Sequence, residues 1–416
     1  MIRQRGDERS MLLLVSKAYW LSSVFLLLIA FPRGAWSQFE TEPEEWLRLR
    51  GVLDVRVARS GRASSWTDRG AGKSRYGGRF AQGQGARVTR LSVAQLALEL
   101  EATLPGEIHA HAQMNWEPDS YNDDRPLLIE AFLRKEWGKW ATGWGFQLGV
   151  MNAPFSLEHT GPAVTPLYTL TPSALSTWVW EEGRIVGAAV DWWRVMANGM
   201  RFSFLFGSGF GPDQMGRLLA VRGWVLSDVL AGVNGDAPLP IKGVTMSVFD
   251  ELDYRPSLYA LATVTDERAI ISFRLGYFDS LGDQGTTGVW ETRFGTAGVI
   301  LRPIGRLEVL AQYMEGAAMV RDAANDIRFN GFYILTSFGY RNHRVSVRYD
   351  GFRTSDLDGA PFLREHGDSV TLAYFFEFGL HHRVGFEYMF LHSDRPILFP
   401  GDPSDGGWQL SYRFRY

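Results

Sequence analysis

The chain has 416 residues, a formal net charge of -3, 45% hydrophobic and 14% aromatic residues, and no cysteine. Without cysteine there are no disulfides, thiolate metal sites or cysteine nucleophiles, and the slightly acidic balance excludes a nucleic-acid-binding protein. Beyond the first 40 residues no stretch reaches the roughly 20 consecutive apolar residues of a membrane-crossing helix, so a helical membrane protein is excluded too.

Arg3, Arg5, Arg9 and Lys17 precede an apolar run from Tyr19 to Phe31, and Ala35-Trp36-Ser37 places small residues before Gln38. That is the pattern of a cleaved secretory signal over residues 1 to 37, with translation starting at Met1 or Met11. The mature chain, residues 38 to 416, then carries 38 basic and 44 acidic side chains. Nothing in it reads as a linker between cores, so one large domain is expected.

From residue 47 onward the dominant period is two. Leu47, Leu49, Leu53 and Val55 alternate with Arg48, Arg50, Asp54 and Arg56; Ile108, Ala110, Ala112 and Met114 alternate with His109, His111, Gln113 and Asn115. The pattern returns at Val345, Val347 and Tyr349 against Arg344, Ser346, Arg348 and Asp350. It returns again at Val384, Phe386, Tyr388 and Phe390 against Arg383, Gly385 and Glu387, and the chain closes with Trp408, Leu410, Tyr412, Phe414 and Tyr416 on one face. In a membrane barrel wall, side chains point alternately to lipid and to the lumen, and aromatic residues gather at both interfaces.

Connector lengths alternate as well. Short turns fall at Pro105-Gly106, Gly138-Lys139, Asn198-Gly199, Pro303 to Gly305, Arg341 to His343 and Gly379 to His382. Between them lie longer polar segments at 58 to 87, 117 to 126, 152 to 182, 207 to 216, 280 to 288, 316 to 328, 354 to 367 and 393 to 407. The expected fold is therefore all-β: a transmembrane antiparallel barrel with short periplasmic turns and long external loops. Seven strands precede Gly207 and eight follow Ala269, and the gap must hold an odd number. One gives sixteen and three give eighteen, with the alternation in Val244 to Tyr254 and Leu258 to Val264 leaning towards three.

Barrels of 16 to 18 strands are wide enough for an aqueous channel. Selectivity then depends on a constriction loop and on charges at it, and the longest suitable segment is 152 to 182. It contains Pro154-Phe155-Ser156-Leu157-Glu158, after a strand ending Gly149-Val150-Met151 and before Glu181-Glu182-Gly183-Arg184. This run resembles the phosphate-selective porin family, in which a glycine-containing strand leads into Pro-Phe-x-x-Glu and a later arginine. The resemblance implies passive diffusion of small polar or anionic solutes through a water-filled barrel, with Pro154, Phe155 and Glu158 in the constriction loop. A barrel of this kind is expected to meet outer-membrane lipid and lipopolysaccharide, and passive diffusion needs no cofactor; porins of this size commonly form homotrimers, although the sequence does not fix the oligomeric state.

Arginine supplies 38 of the 43 basic residues. Arg48, Arg50, Arg134, Arg184, Arg201, Arg274, Arg344, Arg348, Arg383 and Arg413 fall on expected lumen faces, where guanidinium groups grip carboxylate or phosphate in a two-pronged geometry. Glu99, Glu101, Glu130, Asp350 and Glu387 share those faces, so cross-strand pairing is the competing use. A wall protein with a blocked lumen is the alternative function, and inward Leu310, Phe375 and Met389 are the residues that point to it. A barrel-embedded hydrolase has less behind it, because Ser156 and His159 lack a nucleophile elbow and a carboxylate partner. No catalytic set and no complete metal-ligand set is visible, His109 and His111 having no third ligand.

Overall fold

The computed structural model describes residues 46–416 apart from 71, 82–83, 123, 241–243, 321–324, 360–362 and 396–403. The expected signal peptide lies outside the described residues. Sixteen strands form one closed antiparallel barrel. In chain order they are β1 (Leu47–Arg59), β2 (Thr89–Leu104), β3 (Ile108–Trp116), β4 (Leu127–Lys139), β5 (Thr142–Asn152), β6 (Arg184–Val195), β7 (Arg201–Phe210) and β8 (Ser257–Thr265). The second half comprises β9 (Ile271–Asp279), β10 (Trp290–Ile304), β11 (Leu307–Val320), β12 (Ile327–Tyr340), β13 (His343–Asp356), β14 (Glu365–Phe378), β15 (His382–Asp394) and β16 (Ser404–Arg415).

The two-residue period decides which side each residue faces. On β13, Val345 and Val347 are 52% and 45% exposed on the outer face, whereas Arg348 and Asp350, pointing inward, are 0% exposed. Trp137, Trp140, Trp144, Tyr340, Phe378 and Tyr416 stand exposed near the short turns, as an interfacial aromatic girdle requires. The ends of the sheet meet where β1 pairs with β16, from Val52 opposite Arg415 to Arg59 opposite Trp408. Gly51 and Tyr416 exchange backbone hydrogen bonds of 3.1 and 2.9 Å at the seam.

The strand count resolves to sixteen, because the gap between β7 and β9 holds β8 alone. The alternation around Val244 to Tyr254 has another cause: Thr245–Ser247 pairs with Asp236–Pro238 in a two-stranded ribbon outside the barrel sheet. Ala237, Leu239, Met246 and Val248 bury one side of it against Leu218. A ribbon lying on an apolar cluster shows the same period as a wall strand. The longer segment expected at 207 to 216 accordingly extends further, as one insertion between Phe210 of β7 and Ser257 of β8 that contains helix α2 (Arg217–Arg222). A second helix, α1 (Ala174–Glu182), lies within the 152 to 182 segment and starts at Ser173, whose hydroxyl accepts from the Ser176 N–H.

Just before that segment, Gly149 sits at φ +142°, and a Cβ there would lie 2.2 Å from the Ala131 carbonyl oxygen of the neighbouring strand. Only glycine fits this positive φ and close approach, three residues before β5 ends at Asn152. Gly149→Val is expected to cost about 1–3 kcal/mol, seen as a lower urea midpoint for unfolding of the heat-modifiable barrel.

Candidate functional site

The lumen is the candidate site, and at mid-height it is filled with protein. All nine residues of α1 are buried, and so are Leu218, Leu219, Ala220 and Arg222 of α2. Trp178 of α1 packs edge-on against Trp224, Phe294 and Phe329, with ring centroids 5.9, 5.4 and 4.9 Å away. Phe155 joins this core through Tyr259, Phe278 and Phe294. The inward apolar residues of β8 to β12, including Tyr259, Leu261, Phe294, Met314 and Phe329, thus form a seat on which the plug rests. Inward Leu310, Phe375 and Met389 are buried as well.

On the opposite side the plug meets a polar wall and bonds to it group by group. Arg348 donates to Asp350 at 2.8 Å, to Glu158 at 3.1 Å and to the carbonyls of Thr171 and Pro172 at 2.6 and 3.1 Å. Glu387 accepts from the backbone N–H groups of Leu170 and Thr171 at 2.6 and 3.1 Å, and Glu158 accepts from Ser173 N at 2.9 Å. Near the β1–β16 seam, Asp54 accepts from Arg56 and Arg413, while Arg56 also pairs with Asp228 of the long β7–β8 insertion at 2.6 Å. Higher up, Glu365 binds Lys73 at 2.7 Å and accepts from Trp224 N at 3.0 Å. Three chain segments therefore close the long-loop half of the barrel.

The short-turn half is an open vestibule. Side chains of Arg50, Arg134 and Arg344 are 38%, 25% and 29% exposed there. Most of the arginines pair with acids: Arg48 with Glu101, Arg50 with Glu99 and Glu101, Arg134 with Glu136 and Asp191, and Arg344 with Glu308. Arg201 and Arg274 make no ion pair among the described residues; Arg201 lies over the Trp193 ring, and Arg274 donates to the Pro154 carbonyl at 3.1 Å.

The ten candidate arginines therefore divide. Arg48, Arg50, Arg134, Arg201, Arg274 and Arg344 line the vestibule. Arg348 and Arg413 are locked in buried pairs, and Arg383 donates to the Leu167 carbonyl at 2.7 Å beneath the plug. Arg184 is held at the plug by the carbonyls of Ala231 and Trp180. Of the loop motif, Phe155 is a core residue, Glu158 ties the plug to Arg348, and Pro154 offers its carbonyl to Arg274.

Other sequence signals find plainer uses. His111 stacks on Phe132 and lies 3.9 Å from Glu99, and with Glu99 and Glu101 it forms a cluster of metal-ligand type that Arg50 already neutralises. Ser156 and His159 are 2.9 Å apart, yet burial against Trp180 holds the imidazole down to about 3, too weak a base, and among the described residues no carboxylate is bonded to it. Sequence reasoning missed Asp228, Glu365, Lys73, Trp178 and Trp224, all in loops or on the outer rims of strands where period-two alternation says nothing.

No protein-family model and no curated protein matches the chain. Solved structures do, each over 89% of this chain: the outer membrane channel DcaP of Acinetobacter baumannii (TM-score 0.56, 11% identity, 97% of its length) and the anion-selective porin from Comamonas acidovorans (0.55, 13%, 99%). A loop L8 deletion mutant of OmpT, an outer membrane protein of Vibrio cholerae, aligns at TM-score 0.53 with 10% identity over 99% of its length. The chain has the porin fold. At these identities the likeness extends to the backbone path and no further.

Trp178→Ala is expected to cost about 3–5 kcal/mol, because it empties the centre of the plug, and limited proteolysis within 153–183 should accelerate accordingly. Glu182 accepts from Gly216 and Leu218 N–H groups, yet burial beside the Glu181 carboxylate raises it to about 7 from 4.5. A carboxyl with the higher pKa in the folded state holds more protons when folded, so plug stability should fall as pH rises from about 4.5 to about 7 and then level off. The same protease assay between pH 4 and 8 reads this, and Glu182→Gln should flatten the profile.

Proposed function

We propose that the protein is an outer-membrane channel of the porin type for small polar or anionic solutes, closed at rest by its own inward loops. The observation that carries this reading is the uneven seating of the plug: the contact with β8 to β12 is mainly apolar, whereas β13 to β16 and β1 add a set of buried charges to the apolar contacts of Phe352, Phe375 and Met389. Buried ion pairs contribute little net stability compared with well-packed apolar residues. A permanent stopper would gain nothing from a wall bearing Asp54, Arg56, Arg348, Asp350, Glu387 and Arg413. Those residues suit a surface that water and solute reach when the plug leans away onto its apolar seat. The vestibule supports the anionic preference, since Arg201 and Arg274 make no ion pair among the described residues, although Asp266 and Glu267 line the same cavity as Arg201. The resemblance of the 149 to 184 region to phosphate-selective porins makes phosphate the first anion to try.

The chain would reach the outer membrane after cleavage of residues 1 to 37, and its apolar outer face would meet lipid and lipopolysaccharide. A homotrimer is supported by the alanine cluster on that face, where Ala102 lies opposite Ala110 and Ala112 opposite Ala131, leaving room for close approach of another copy. The second reading, a permanently blocked barrel with a structural or adhesive role, is favoured by the buried aromatic core. No observation favours a hydrolase.

Single-channel recording in planar bilayers separates the two readings. Wild type should show long closed periods with brief anion-preferring openings, and the double variant Arg348→Gln, Glu158→Gln should stay open longer. Arg201→Ala with Arg274→Ala should move the reversal potential under a salt gradient towards cations. Silence from the folded Arg348→Gln, Glu158→Gln barrel would leave the structural role in its place.

A further inference from the structure

At the long-loop end, Asp213 follows β7 while Glu251 and Asp253 precede β8, and their carboxylate oxygens lie within 4.8 Å of one another. The backbone builds this approach. Asp213 N donates to the Asp250 carbonyl and Asp250 N to the Gly211 carbonyl, so the two chain segments run side by side. Asp213 Oδ2 accepts from the N–H groups of Leu252 and Asp253 at 2.5 and 3.1 Å, and Glu251 Oε2 accepts from Gly211 N at 2.8 Å. Asp213 and Glu251 each have one oxygen fixed by the backbone and one left over, while the two oxygens of Asp253 accept from the N–H groups of Arg255 and Asp283.

The left-over oxygens are the telling observation. Asp213 is 0% exposed, and its Oδ1 is buried with no hydrogen-bond partner; Glu251 Oε1 is buried and partnerless as well. A buried carboxylate oxygen without a donor costs roughly 1–3 kcal/mol or more, and two facing acids add repulsion. No Lys or Arg pairs with Asp213, Glu251 or Asp253 among the described residues: Arg255, the cation next in the chain, is 3.3 Å from Asp283 instead. Burial and the neighbouring acids raise the pKa of both Asp213 and Glu251, as expected of a site that lacks its counter-charge.

The vestibule cluster of Glu99, Glu101 and His111 differs on this point, because Arg50 already spans its two carboxylates. What the Asp213 cluster lacks is positive charge and oxygen coordination at once, and a hard divalent cation supplies both. Oxygen-only donors on flexible loops, with room for water to complete six to eight ligands, suit Ca²⁺ better than the smaller, strictly octahedral Mg²⁺. We propose that Asp213, Glu251 and Asp253 bind one Ca²⁺ ion, which clamps the start of the long insertion to its end. Its consequence reaches the plug, since α2 begins four residues after Asp213 and Glu182 of α1 accepts from its first turn.

The test is calorimetric titration of Ca²⁺ into the full chain, folded in detergent free of lipopolysaccharide and stripped with chelator. Wild type, Asp213→Asn and Glu251→Gln are compared, with thermal unfolding of each in Ca²⁺ and in chelator. The expected result is one Ca²⁺ per chain in the wild type, about tenfold or greater weakening in each variant that folds, and a melting temperature that Ca²⁺ raises only in the wild type. Glu251, less buried than Asp213, is the safer site for substitution, and its change to Gln keeps the test decisive if Asp213→Asn fails to fold. The proposal is overturned by no binding to wild type at roughly 10 mM, well above the range of extracellular calcium modules, or by Glu251→Gln binding as tightly as the wild type.

Discussion

Every backbone N–H and C=O that faces hydrocarbon must find its partner inside the protein, because lipid offers none. The pairing of β1 with β16 meets that demand for the whole wall: with the seam closed, no strand is an edge, and each outward side chain is free to be apolar. The girdle of aromatic residues, the alternation along every strand and the short turns at one end all follow from this closure. A sheet left open at Gly51 and Tyr416 would expose two rows of unpaired polar groups to lipid, and the alternation alone would not save it.

Closure also creates a problem inside. A sixteen-stranded wall encloses more space than its own inward side chains fill, and in this molecule the remainder is taken up by three segments from the long-loop end. Their packing uses two kinds of physics at once. Against β8 to β12 the contact is hydrophobic, centred on Trp178, Trp224 and Phe294. Against β13 to β16 and β1, beside the apolar contacts of Phe352, Phe375 and Met389, it is a set of hydrogen-bonded charges in which backbone N–H and carbonyl groups of the 152 to 182 loop satisfy Glu387, Asp350 and Arg348. Loops normally avoid burial because their backbone groups go unpaired. Here the polar wall supplies the missing partners, which is why an irregular segment can sit at the centre of the barrel.

The two faces differ in what they lose if the plug moves. The apolar seat would expose aromatic surface to water, while the polar wall would exchange protein hydrogen bonds for water at small net cost. On the proposed function, movement away from the charged wall is the displacement that opens a passage towards the arginine-rich vestibule. Arg201 and Arg274, the vestibule arginines that make no ion pair among the described residues, lie across the barrel from that wall, on β7 and β9.

The period-two pattern from Leu47 to Tyr416, with the short turns that punctuate it, determined by itself that the chain makes a barrel, which residues face lipid, and that fifteen of the strands lie where they do. Alternation is a local property of the backbone, so a sequence displays it directly. The same locality misled at Val244 to Tyr254, where a ribbon on an apolar cluster alternates like a wall strand. Only the tertiary structure decided that inward charges such as Arg348 and Asp350 meet a folded loop instead of water, that Arg184 and Arg413 are locked while Arg201 and Arg274 are not, and that Asp213 faces Glu251. Those outcomes depend on where distant loops come to rest inside a closed wall, and no spacing along the chain encodes which carbonyl or carboxylate arrives opposite a given guanidinium.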